Sequence, residues 1–162
     1  MPKNKVLRES GFKPMPTVLK VLFIFICIGL AGSVISLSSV NAKGVFMFGY
    51  GITGTVAWLI SIFWIAVMVV LLTSWWNRSA WAWWYGIAYF IVSLINNIIM
   101  VFSIDRLLAF SLDKMPSIPE ISNPQLFYSL MHSIMIFAFV IALIITIVFI
   151  VLFYRTRDYF DK

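Results

Sequence analysis

The side chains able to do chemistry are few. The chain has one histidine, His132, and one cysteine, Cys27, and both stand inside apolar runs. A lone thiol excludes an intramolecular disulfide, a Cys-x-x-Cys redox pair and a thiolate metal cage. One imidazole cannot make a bis-histidine haem site. Serines are plentiful, but no Gly-x-Ser-x-Gly elbow accompanies them. A Ser–His device is therefore a minor reading, a lipid-modifying enzyme with His132 as its general base. More decisive is what is missing: apart from Lys20 at the very start of the first, the apolar runs contain no Asp, Glu, Lys or Arg, so none stands in a membrane core. Charge in hydrocarbon is costly enough to appear only where it is used. Proton-coupled export, ion pumping, aspartyl intramembrane proteolysis and a carboxylate-rich metal centre are excluded on that ground. We expect no enzyme, no cofactor and no metal.

The polar residues that remain fall into stripes. At 100° per residue, Tyr85, Tyr89, Ser93, Asn96 and Ser103 share one helix face with Asn97 beside it, and Gln125, Tyr128, His132, Met135, Phe139, Ala142 and Thr146 share another. Two adjacent carboxamides left in hydrocarbon would cost several kcal/mol, so these stripes should face one another inside a bundle. Counting helical rise puts both Asn96 and His132 at a height of about 20 Å in a core of roughly 30 Å. On that count the two can touch. Ser33, Ser36, Trp58, Ser93, Asn96, Asn97, Tyr128, Ser129 and His132 then surround a small polar pocket opening outward. The plainer alternative is that Asn and His bond each other and nearby backbone, as glue between helices.

Four apolar runs must position these groups, at about 18–40, 50–73, 81–104 and 125–153. Of the 162 residues 62% are hydrophobic and 11% charged, against roughly 45–50% and about 25% in a soluble domain. So many apolar side chains cannot be hidden in a fold of this size, and the bilayer must act as solvent. About 20 helical residues cross a hydrocarbon core, and each run is long enough. The runs lack the alternation of a membrane barrel, so helices are the structures that satisfy the backbone. The expected fold is all-α: a polytopic four-transmembrane-helix bundle forming a single integral membrane domain over 1–162, with its first helix retained rather than cleaved. The fourth run is long enough to tilt or to protrude into the cytoplasm.

Basic residues set the expected orientation. Lys3, Lys5, Arg8, Lys13, Lys20, Arg78, Arg155, Arg157 and Lys162 lie on one side, against Lys43, Arg106 and Lys114 on the other. Both termini should be cytoplasmic, in the plasma membrane. The net charge of +6 is spread over helix ends rather than gathered on a soluble face, which argues for lipid headgroups and against nucleic acid as the partner. Trp75, Trp76, Trp81, Trp83 and Trp84 crowd the second connection and should anchor the interface at headgroup level. Thr17 is positioned to cap helix 1, and Asn123-Pro124 to start helix 4. In the third connection Leu107, Leu108, Phe110 and Leu112 can form a short turn on the outer membrane surface.

Small residues are the remaining signal. Gly29, Gly32, Ser33 and Ser36 stand on helix 1, and Gly51, Gly54, Ala57 and Ser61 on helix 2. Gly29-x-x-x-Ser33, Gly32-x-x-x-Ser36 and Ala57-x-x-x-Ser61 match the small-x-x-x-small packing pattern, which serves contacts within a chain or with a partner.

The passage Trp75-Trp76-Asn77-Arg78-Ser79-Ala80-Trp81-Ala82-Trp83 and the ending Phe153-Tyr154-Arg155-Thr156-Arg157-Asp158-Tyr159-Phe160 resemble those of many small, uncharacterised four-helix membrane proteins of bacteria and archaea. The likeness is one of layout. It implies four helices with cytoplasmic ends and carries over no functional residue. The reading that follows is a non-enzymatic accessory or assembly subunit, with a membrane-protein partner or a second copy. The alternative is binding or passive transport of a small neutral or amphiphilic molecule in the polar pocket.

Overall fold

The structure, a computed structural model, describes residues 11–114 and 124–161. Helix α1 (Thr17–Lys43) leads through a hairpin, β1 (Val45–Met47) and β2 (Tyr50–Ile52), into α2 (Gly54–Trp76). There follow α3 (Ala82–Phe102), a short α4 (Ile104–Asp113), the long α5 (Pro124–Tyr154) and a terminal turn of helix, α6 (Arg157–Asp161). Helices α1, α2, α3 and α5 are each long and apolar enough to cross a membrane. The molecule is therefore a mostly helical protein with four candidate spans. Pro124 is the first residue of α5, where its missing N–H is no loss and its φ suits a helix. Asn123, its expected cap, lies outside the described residues.

The spans are joined as two pairs: α1 packs chiefly on α2 and α3 chiefly on α5, with sparser contacts between the pairs. The α3–α5 pair closes on Gly86. A Cβ there would collide with the Phe153 ring, so only glycine lets the two backbones come this near. Phe90 meets Phe149 at 6.2 Å between ring centroids, and Asn97 bonds Thr146. This register sets residues near 138 of α5 level with the end of α3. Roughly the first 14 residues of α5, about 20 Å, thus extend past α3. The surplus length of the fourth run is spent at the hairpin end, not at the end carrying the termini.

At that terminal end lies the core. Leu19 and Leu22 of α1, Leu71 and Trp75 of α2, Phe153 of α5 and Phe160 of α6 are fully buried. Trp75 stacks on Phe153 at 4.9 Å, and Phe153 meets Phe160 at 6.0 Å. Lipid is as apolar as these side chains, so within the spans their interlocking matters more than removal from water. Phe160 follows the last span, and its burial contributes about 1.5–3 kcal/mol in the ordinary way. Arg78 holds α6 in place. Its Nε and Nη2 donate to the Tyr159 carbonyl at 3.2 and 2.9 Å, and its guanidinium lies 4.5 Å from the centre of the Tyr159 ring. Arg157 sits over the Trp83 ring at 5.3 Å.

Several expectations are corrected. The tryptophans divide: Trp76, Trp81 and Trp84 are exposed, but Trp75 and Trp83 are 0% and 5% exposed. The ring of aromatic partners beneath the bundle draws those two inward. Thr17 does not cap α1: the helix starts behind Pro16, with no side-chain cap bond. Tyr50 to Ile52 are strand rather than the start of the second span, which begins at Gly54. Phe48 and Gly49 have φ of 49° and 79°, the two positive values that a tight hairpin turn requires. The third connection holds a ten-residue helix, α4, in place of a short turn. Its Phe110 lies so close to Gly51 of β2 that no Cβ would fit there.

Candidate functional site

The residues of the expected pocket are divided among three places. The first is a cavity of about 400 Å³ in the middle of the bundle, directly beyond the packed core. Ser93, Asn96 and Asn97 of α3 and Thr146 of α5 form its polar flank, while Phe25, Met68, Phe90 and Phe149 supply apolar walls. Asn97 Nδ2 donates to Thr146 Oγ1 at 3.1 Å, and that hydroxyl donates to the Ala142 carbonyl at 2.8 Å. The two polar stripes therefore do face each other. Asn96 is engaged elsewhere, its Oδ1 accepting the Phe48 N–H at 2.9 Å. The hairpin tip thus reaches down to the edge of the cavity. Trp64 Nε1 steadies the same hairpin with a 3.2 Å bond to the Met47 sulfur.

The second place is an open cleft of about 640 Å³ at the hairpin end, lined by Asp105, Gln125, Tyr128, Ser129 and His132. His132 Nε2 lies 3.3 Å from Asp105 Oδ1. His132 and Asn96 therefore do not bond each other. The height estimate started α5 level with the end of α3, whereas the observed register raises His132 to the level of α4. Asp105, the group His132 meets, belongs to a connection whose helix the sequence reading took for a turn. Among the described residues no group of three His, Cys, Asp or Glu converges here or elsewhere.

Trp58 stands in the third place, a shallow pocket of about 350 Å³ shared with Leu37, Ser38, Asn41 and Thr55. Ser33 lines none of these. Its Oγ returns to the Gly29 carbonyl at 2.9 Å, and Ser36 Oγ to the Ser33 carbonyl at 3.0 Å. Of the small residues, Ala57 is fully buried and Ser61 bonds the Ala57 carbonyl at 2.9 Å. Gly29, Gly32 and Gly54 are different: a Cβ on any of them would meet no atom within 4 Å. The helix 1 pattern is not used for close packing inside this chain. Gly86, which is so used, belongs to no such pattern in the sequence reading.

Tyr89 and Thr146 also line the central cavity, beyond the binding residues that the sequence predicts. Their stripes already carried the signal. Phe48 and Asp105 had none, because their meetings with Asn96 and His132 depend on how loops fold back over the spans. At the terminal end, burial pushes the Tyr159 hydroxyl above its ordinary value, with Arg78 acting in the opposite direction.

Fold and composition together define a multi-pass membrane protein with four candidate spans and a cavity flanked by carboxamides. No protein family, no curated protein and no solved structure matches the chain.

Proposed function

We propose that this chain is a non-enzymatic subunit of a membrane assembly, acting through helix–helix contacts. It is held in the plasma membrane with both termini cytoplasmic. The orientation rests on nine basic residues at one end against three at the other. The assembly role rests on one observation, the uncovered small-residue face of α1. Gly29 and Gly32 have open space where a side chain would be, and the hydroxyls of Ser33 and Ser36 are satisfied within their own helix. In lipid, helices associate by close backbone approach rather than by hydrophobic gain. A face of small residues with no polar demand suits a helix of another membrane protein.

Native purification in mild detergent followed by cross-linking tests this reading. A cross-linked partner is expected in the wild type. Gly32→Leu and Ser36→Leu should remove it with the melting temperature unchanged, because Gly32 has open space where a side chain would start and Ser36 is exposed. A strictly solitary protein, or cross-links indifferent to both substitutions, overturns the proposal, and cross-links between identical chains replace the foreign partner with a second copy.

A further inference from the structure

The central cavity carries an inference independent of any partner chain. None of its lining residues is Asp, Glu, Lys, Arg or His. A charged ligand would lose its hydration there with nothing to pair it. The polar flank nevertheless retains unused capacity. Asn96 makes its bond to Phe48 through Oδ1 and Asn97 its bond to Thr146 through Nδ2. Among the described residues, Asn96 Nδ2 and Asn97 Oδ1 have no partner, and neither atom is sealed off. An amide donor and an amide acceptor thus border the cavity, and a hydroxyl can accept from the first or donate to the second.

The cavity also faces the lipid. Phe25 and Ile145 on its rim are 53% and 45% exposed. Its access therefore lies between α1 and α5, where a molecule dissolved in the bilayer arrives directly. At roughly 30 Å³ per non-hydrogen atom, the volume accommodates about 13 such atoms. We infer that this cavity binds a neutral, hydroxyl-headed amphiphile taken from the membrane, the hydroxyl donating to Asn97 Oδ1 and the chain lying along Phe90 and Phe149. Ring edges and aliphatic walls complement such a chain without directional demands.

The test uses the full chain alone in lipid nanodiscs, with dodecanol carrying a diazirine near its hydroxyl as photoprobe. Saturable labelling is expected on cavity residues of α3 and α5. Unlabelled dodecanol should compete, whereas dodecane and dodecylammonium should compete at least tenfold less well. Asn97→Leu removes the acceptor and Ala142→Leu fills the space; each should weaken saturable labelling tenfold or more, judged on whichever variant keeps the wild-type melting temperature. Labelling that never saturates, equal competition by dodecane, or wild-type labelling in a folded variant overturns the inference.

Discussion

Gly86 and Gly32 are the same residue type with opposite roles. Gly86→Val places carbon where the Phe153 ring already lies, and overpacking of this kind costs about 1–3 kcal/mol. The melting temperature in detergent should fall clearly for Gly86→Val and stay unchanged for Gly32→Leu. Tyr159 makes a second prediction, concerning pH. Its hydroxyl is buried with no partner among the described residues, and its proton is held above the ordinary value of 10.0, by burial against the opposing effect of Arg78. A raised value means that the folded state retains the proton longer than the unfolded one. The associated stability is complete below pH 10 and is lost as pH climbs through the raised value. Thermal melts followed by tryptophan fluorescence should show a steeper alkaline decline in the wild type than in Tyr159→Phe. Near neutral pH Tyr159→Phe should be at least as stable as the wild type, since it removes a buried hydroxyl that has no partner among the described residues.

Among the elements, the hairpin takes the side-chain hydrogen bond at its turn from one residue of α3, Asn96. Its turn puts Phe48 at φ 49°, a conformation that costs a non-glycine residue of order 1 kcal/mol. The bond from the Phe48 N–H to Asn96 Oδ1 opposes that cost. In Asn96→Leu the amide is left without an acceptor, a loss of about 1–3 kcal/mol. Hydrogen exchange should then accelerate at Phe48 and Gly49 while α2 and α3 keep their protection. Equal exchange in both proteins would mean that the hairpin is held by Trp64 and Phe110 alone. The hairpin was not legible in the sequence, where Tyr50 and Ile52 read as the first apolar residues of a span. The polar stripes of α3 and α5 were legible, because helical periodicity fixes which residues share a face before any neighbour is known.

At the scale of the whole molecule, order is concentrated at one end. The start of α1 with the residues just before it, the α2–α3 turn and α6 enclose an aromatic core, and the spans part above it to leave the cavity and the open face of α1. Asp113 is exposed at the end of α4 and Arg155 beyond α5, so the proposed topology puts them on opposite sides of the membrane. With Cys27→Ser as background, an impermeant maleimide should label Asp113→Cys in intact cells and Arg155→Cys only after permeabilisation. The reverse pattern would invert the orientation, and labelling of both in intact cells would remove one span from the membrane.

Composition and periodicity alone were enough to specify four apolar helices, the absence of charge from their middles and the faces on which Asn97 and Thr146 would meet. These depend on residue type and on the fixed geometry of a helix, and neither needs a tertiary neighbour. Only the folded chain decided that Asn96 answers the hairpin and His132 answers Asp105. It also decided that Trp75 and Trp83 are core and that Gly86, rather than Gly29 or Gly32, draws two spans together. Each of those outcomes turns on the sliding of one helix against another by a few residues, and in lipid that register is set by how side chains interlock rather than by how apolar they are.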